Sequence, residues 1–164
     1  MTNDKVSSFK FRITESNRTE LICILYEIFF SYIEDATAEL RKMKEQRSME
    51  GLDAYGEALR SASLVVRHLE DALDFSYEIS GNLFSLYSFV ERSLAKASYR
   101  MEEEDLENCL KVMKPLYESF SEVAAQDDSK PLMQNTQRVT AGYTYGRNDV
   151  TEAYGASDNR GFFA

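Results

Sequence analysis

Histidine, cysteine and proline are scarce in this chain, and tryptophan is absent. Its 164 residues include one histidine, two cysteines and two prolines. A di-iron helical bundle needs a Glu-x-x-His pair on each of two helices. The only histidine, His68, is preceded three residues earlier by Val65, which nearly excludes that class. The sequence also lacks a glycine-rich phosphate loop and a Gly-x-Ser-x-Gly motif. We therefore expect no catalytic residue, no cofactor and no metal site.

His68 leaves one other function open, which is that of a histidine phosphotransfer bundle. Such a bundle presents one exposed helical histidine, and His68 lies on a predicted helix. The next residues are Leu69, Glu70, Asp71 and Ala72, and the two carboxylates would repel a phosphoryl group. A half-exposed structural histidine is the favoured interpretation.

The two cysteines, Cys23 and Cys109, do not form a Cys-x-x-Cys motif, and apolar residues flank both. Buried free thiols are therefore expected. The start of the chain lacks the features of a secretory signal, and no stretch approaches 18 consecutive apolar residues. These features predict a cytoplasmic protein without membrane insertion.

Acidic residues outnumber basic ones by 28 to 19, which gives a net charge of −9. Such a surface repels nucleic acid backbones and anionic membranes. We therefore expect no nucleic acid partner.

Glycine and proline divide the chain into segments. Between Asn17 and Gln126 there are three glycines and one proline, which favours nearly continuous helix. Residues 126–164 hold four of the seven glycines and the second proline. We predict an N-terminal cap segment over residues 1–16, a helical domain over 17–125 and a flexible polar tail over 126–164. The tail carries Tyr143, Tyr145 and Tyr154 and ends in Arg160-Gly161-Phe162-Phe163-Ala164, so docking on the domain is its alternative to disorder.

Apolar residues at spacings of three and four predict four helices in the domain. The first begins at a capping box of Asn17 and Glu20 and extends to about Gln46. The second covers about 51–80 and ends at Gly81, and the third follows it. The fourth begins at the acidic run 102–105, and Pro115 should kink or break it. The predicted fold is an all-α, antiparallel up-down four-helix bundle.

Twenty phenylalanine and tyrosine residues exceed what so small a core requires. On the third helix, five residues are expected to point inward: Leu83, Leu86, Val90, Leu94 and Ala97. Six large apolar residues remain after the core positions are assigned: Ile22, Tyr26, Phe30, Phe84, Tyr87 and Phe89. The broad apolar surface of the first helix also needs a cover, for which Phe9, Phe11 and Ile13 are available. We interpret the six residues as a hydrophobic groove for a peptide partner.

Three of the predicted helices carry motifs of apolar and aromatic residues. The first helix carries Glu20-Leu21-Ile22-Cys23-Ile24-Leu25-Tyr26. The third carries Asn82-Leu83, Leu86-Tyr87, Phe89, Leu94 and Ala97, and the fourth carries Leu106, Leu110, Val112, Met113, Leu116 and Phe120. In their order and register, these three segments resemble the FliS family of flagellar export chaperones. The chain departs from the family pattern at Asn17-Arg18-Thr19, where Ser-Pro or Thr-Pro is usual, and at Phe120, where tryptophan is usual.

The resemblance implies a cytosolic four-helix chaperone that binds the C-terminal segment of flagellin and prevents premature polymerisation before type III export. It implies no reaction and no cofactor, and it suggests the flagellar export gate as a further partner. The six leftover residues would then form the client-binding groove. A helical adaptor, or a chaperone for another secreted client, remains the alternative because a fold does not determine function.

Overall fold

The computed structural model describes residues 3–133 of the chain, and all regular structure within them is helical. The five helices are α1 (Asn3–Glu15), α2 (Arg18–Gln46), α3 (Leu52–Asp71), α4 (Glu78–Arg100) and α5 (Glu103–Ala124). Helices α2 to α5 form a closed ring in which each packs on two neighbours, and α1 packs on α2. The predicted all-α four-helix bundle is confirmed, whereas the predictions for 134–164 lie outside the described residues.

Contacts between the helices show their antiparallel order. Arg41, near the end of α2, pairs with Glu103 at the start of α5, with 2.8 Å between Nη2 and Oε2. At the opposite end, the rings of Tyr26 and Phe120 lie 5.7 Å apart. Between α3 and α4, the Tyr55 hydroxyl donates to the carbonyl of Ala97 over 2.8 Å. Successive helices therefore run up and down, as the short connections predict.

The predicted capping box at the start of α2 is confirmed. The side chain of Asn17 accepts a hydrogen bond from the backbone N–H of Glu20 over 2.8 Å. The Glu20 carboxylate in turn accepts from the backbone N–H of Asn17 over 2.9 Å. Two of the unpaired donors at the helix start are satisfied in this way, which typically contributes about 1 kcal/mol.

The predicted single helix over 51–80 is wrong, because α3 ends at Asp71 and α4 begins at Glu78. Asp74 lies three residues after the end of α3, and its carboxylate accepts a hydrogen bond from the backbone N–H of Ser76 over 2.9 Å in an Asx turn. Ser80 then donates its hydroxyl to the carbonyl of Asp74 over 2.6 Å. Gly81 consequently lies inside the first turns of α4 and does not end a helix.

Helix α5 matches its predicted start but not its predicted break. Glu103, Glu104 and Asp105 occupy the first turn, where the helix dipole favours negative charge. The helix continues through Pro115 to Ala124. Proline removes one backbone hydrogen bond, and the packing of buried side chains such as Met113 keeps the helix intact.

Most predicted inward positions are buried, but several are not. Leu86 is partly exposed, because the neighbouring Tyr87 takes the inward position and successive helical residues diverge by about 100°. Leu52, Tyr77 and Val123 also fit the apolar spacing of their predicted helices but are exposed, since each lies at or near a helix end. The core therefore ends about one turn earlier than the apolar pattern suggests.

Both cysteines are free and buried, as predicted. Burial raises the pKa of the Cys109 thiol to about 12, and its sulfur donates to the carbonyl of Asp105 over 3.3 Å. Burial also raises the pKa of the Cys23 thiol. Both thiols are therefore unreactive in the folded chain at neutral pH.

The chain after α5 returns across the start of α2. The Asp127 carboxylate accepts the hydroxyl of Thr19 over 2.6 Å, and its carbonyl accepts the side-chain amide of Asn17 over 3.1 Å. Five residues later, the backbone N–H of Leu132 donates to the carbonyl of Ser16 over 3.1 Å. The first residues of the predicted tail are thus fixed to the bundle.

Candidate functional site

Two of the six expected groove residues lie in the core. Tyr26 and Tyr87 are 0% and 1% exposed, and their hydroxyl oxygens are 2.7 Å apart. Burial raises the pKa of both hydroxyls, so both remain protonated and hydrogen-bonded. The inference that these tyrosines are left outside the core is therefore wrong. Their pairing links α2 to α4 across the bundle.

Ile22 and Phe30, the two other α2 residues of the set, are half-buried and pack against the core. The ring of Phe30 meets the ring of Tyr117 edge-on at 5.6 Å. Phe30 also borders a hollow of about 360 Å³ that Leu110 and Lys114 line from α5. This part of the α2 surface offers apolar contact area beside a shallow depression.

Phe84 and Phe89 are the expected groove residues that α4 exposes, at 43% and 40%. They are five residues apart and therefore point about 140° away from each other around the helix. Phe84 lies two turns before Glu91, whose carboxylate accepts a hydrogen bond from the Arg67 side chain of α3 over 3.3 Å. Phe89 lies three turns before Arg100, which pairs with Asp105 of α5. The structure places them on opposite flanks of α4, one toward α3 and one toward α5.

Leu86 joins Phe89 on the α5 flank of α4, where it is 39% exposed. Residues three apart share one side of a helix, so these two side chains form a continuous apolar surface. Sequence reasoning assigned Leu86 to the core and so missed it as a surface residue. The sequence did contain a signal for this surface, since Phe89 lies three positions after Leu86 and shares its side of the helix.

A second group of exposed apolar residues was also missed at the connection between α3 and α4. Phe75, Tyr77 and Ile79 are 63%, 65% and 63% exposed. The ring of Phe75 meets the ring of Phe84 edge-on at 5.9 Å. The prediction of one helix over 51–80 concealed this cluster, because it included no connection between two helices at Phe75 and Tyr77.

A groove of about 850 Å³ separates α3 from α4. Small residues such as Gly56, Ser63 and Ala95 line its floor, and Arg60 and Arg92 lie along it. Arg60 is already engaged with Glu57, with 2.7 Å between Nη2 and Oε2. The lining of the groove combines polar and apolar side chains, and the groove lies on the flank of α4 away from Phe89.

Helix α1 lies against α2 next to the half-buried Phe30. Arg12 forms a two-pronged ion pair with Glu27, in which Nη2 and Oε1 are 2.9 Å apart. Tyr117 donates its hydroxyl to the same carboxylate over 3.1 Å. Hydrogen bonds from Arg12 lower the pKa of Glu27 below its ordinary value. Glu27 thus joins α1, α2 and α5.

The expected cover of α2 by the N-terminal segment is only partly correct. Phe9 and Ile13 are half-buried, and Phe9 borders a hollow of about 300 Å³ with Phe30. Phe11 is 63% exposed, because it lies two residues from each of them and points to another face. Helix α1 covers one side of Phe30 and leaves the α4 surface free.

No group of three or more histidine, cysteine, aspartate or glutamate side chains in the described part of the chain could hold a metal ion. His68 is exposed on α3. None of the helices between residues 3 and 133 has the length and apolarity that a membrane crossing requires.

Comparison with known proteins shows which family this four-helix bundle belongs to. A family model described as "Flagellar protein FliS" matches residues 1–127. A search of curated proteins finds no match to the sequence. The family match covers α1 to α5 and stops where the chain returns across the start of α2. The chain therefore belongs to the FliS family of flagellar proteins, whose members are flagellar export chaperones.

Proposed function

We propose that this chaperone binds the C-terminal segment of flagellin in the cytoplasm and keeps flagellin unpolymerised until type III export. A segment destined for a filament interior is apolar and self-associates when exposed. Burying that segment on a chaperone blocks assembly, and its release for export requires no chemical reaction. Delivery to the flagellar export gate is part of the same proposal.

One observation carries the proposal, which is the exposed apolar surface along α4. Leu86 and Phe89 share the α5 flank and Phe84 lies on the other flank, and each is about two-fifths exposed although α4 has a complete core face. A monomer rarely exposes large contiguous apolar patches without a binding role. An extended or helical client segment could cover such a surface with its own apolar residues.

The groove that we propose is smaller than the sequence suggested. Phe89 and Leu86 form its principal part on the α5 flank, and Ile22 and Phe30 on α2 offer a second contact area on the other side of α5. Tyr26 and Tyr87 support it from inside by holding α2 against α4. Phe84 lies on the other flank, so a client that also contacts it must wrap around α4.

Flagellin polymerisation followed by light scattering tests this proposal. Equimolar chaperone should suppress the rise in scattering from purified flagellin. The Phe89→Ser variant should suppress it less, because a serine removes the apolar contact. Leu64→Ser is the matched control, since Leu64 is exposed on α3 and points away from the core. Undiminished polymerisation with the wild-type chain would reject flagellin as the client and favour another secreted protein.

A further inference from the structure

The connection between α3 and α4 carries an ordered aromatic surface that belongs to neither the core nor the α5 flank. We call Phe75, Tyr77, Ile79 and Phe84 the corner patch. All four side chains are exposed, yet the edge-on contact of Phe75 with Phe84 holds two of the rings in fixed geometry. The corner patch is thus a preformed surface, and the residues between 3 and 133 leave it uncovered.

Carboxylates surround the corner patch. Asp71 is the last residue of α3, Asp74 lies in the connection and Glu78 is the first residue of α4, and all three are exposed. Within the described chain, none of the three forms an ion pair with lysine or arginine. An apolar centre with a negative rim is complementary to a short segment that combines aromatic rings with a cation.

The chain itself contains such a segment outside the described residues. Residues 160–163 read Arg-Gly-Phe-Phe, which places a guanidinium two residues before a pair of phenyl rings. Arg160 would meet the carboxylate rim while Phe162 and Phe163 cover the exposed rings.

The described chain leads toward the correct end of the bundle. Leu132 is hydrogen-bonded to Ser16 at the end where α2 begins. Because α3 runs antiparallel to α2, the connection that follows α3 lies at this same end. About 27 residues separate Met133 from Arg160. A chain of that length has a root-mean-square reach of roughly 30 Å, which exceeds the roughly 20 Å width of two packed helices.

We propose that the corner patch is the docking surface for residues 160–163 of the same chain. This intramolecular contact does not depend on flagellin being the client. A tether of this kind gives an effective concentration on the order of 1 mM. A contact with an intrinsic Kd of about 1 mM would then be half occupied, so a weak contact is enough to cover the patch.

A spin label at the chain end tests the contact in the full-length protein. An Ala164→Cys substitution provides a single reactive thiol, because Cys23 and Cys109 are buried. We expect the nitroxide to broaden the backbone amide NMR signals of residues 74–79 and 84, relative to the reduced label. The broadening should be lost when Phe162 and Phe163 are both changed to serine.

Variants of the patch give the reciprocal test. Phe75→Ser with Tyr77→Ser should abolish the broadening without unfolding the bundle, because both side chains are largely exposed. Phe11→Ser removes an equally exposed phenylalanine on α1 and should leave it unchanged. Broadening confined to another surface, or no broadening, would overturn the proposal.

A further control distinguishes a contact within one molecule from a contact between two molecules. Mixing isotope-labelled chain without the nitroxide with unlabelled chain that carries it detects only contacts between molecules. Absence of broadening in this mixture is expected. Broadening of the corner patch in the mixture would show that a second copy occupies it, which would also overturn the proposal.

Discussion

The Tyr26–Tyr87 pair is the residue-level feature that most changes the account of the binding surface. Both residues looked like surplus aromatics in the sequence, because leucines and isoleucines beside them already fill the expected core positions. Burial of a tyrosine costs free energy when its hydroxyl has no hydrogen-bond partner, but much less when it has one. Here the partner hydroxyl lies 61 residues away in the chain. No local pattern indicates such a pair.

Removing one hydroxyl of this pair should cost more than removing both. Tyr26→Phe leaves the Tyr87 hydroxyl buried without its partner, and we expect a loss of about 1–3 kcal/mol in the free energy of unfolding. The double change to phenylalanine keeps the shape of the core and leaves no unpaired group. Urea unfolding of the four variants, followed by circular dichroism, measures this cycle. A double-variant loss equal to the sum of the single losses would show that the hydroxyls do not interact.

The existence, order and caps of the helices could be read from the sequence, but one boundary could not. The Asn17–Glu20 capping box and the acidic start of α5 depend on neighbouring residues, so local reasoning found them. The connection between α3 and α4 contains an Asx turn at Asp74, within a segment whose apolar spacing also fits a helix. Phe75, Tyr77 and Ile79 around this turn are exposed.

Glycine substitutions distinguish the observed boundary from the predicted one. Gly81 lies within α4, and an added Cβ meets no atom within 4 Å, so Gly81→Ala should stabilise the protein by roughly 0.5–1 kcal/mol. Gly51 has a φ of 104°, and an added Cβ would lie 2.7 Å from Oε2 of Glu39. Gly51→Ala should therefore destabilise it. Thermal unfolding of both variants is the measurement, and destabilisation by Gly81→Ala would mean that α4 begins later.

Helix α1 is the element most suited to regulate access to α2. Among the side chains of α1 that the structure describes, Arg12 joins the helix to α2 through its ion pair with Glu27. The partial cover of Phe30 makes α1 a competitor for a client that uses this surface.

Deleting residues 1–14 should therefore increase the affinity for a flagellin C-terminal peptide. Displacing a contact of ~0.7–1.4 kcal/mol corresponds to roughly a threefold to tenfold change in Kd. Arg12→Ala is the matched point variant and should give a smaller increase. Calorimetric titration provides the comparison. Unchanged or weaker binding after the deletion would rule out α1 as a cover.

At the scale of the whole molecule, the bundle separates its exposed apolar surface into two parts. One follows the α5 flank of α4 through Leu86 and Phe89, and the other is the corner patch. The sequence indicated that α4 carries surplus apolar residues, because this follows from their number and from their helical spacing. It could not show that Phe84 and Phe89 face different neighbours, because that depends on how α4 rotates between α3 and α5.

The α5 flank and the corner patch can each bind a different segment. The α5 flank of α4 is separated from the apolar residues of α2 by α5, and it suits a client segment along the bundle. The corner patch has a carboxylate rim and lies at the end where the described chain stops. A variant of one surface should leave binding at the other intact, since the two are on opposite flanks of α4.

The most direct test of the account is the affinity of a flagellin C-terminal peptide for the wild-type chain, Phe89→Ser and Leu64→Ser, measured by isothermal titration calorimetry. Loss of a buried phenylalanine contact of about 1.5–3 kcal/mol should raise the Kd at least tenfold for Phe89→Ser. Leu64→Ser should leave the Kd within about twofold, because isolated surface positions contribute little. Circular dichroism should show that both variants are folded. Equal affinity of Phe89→Ser and wild type, or no binding to the wild type, would contradict the account.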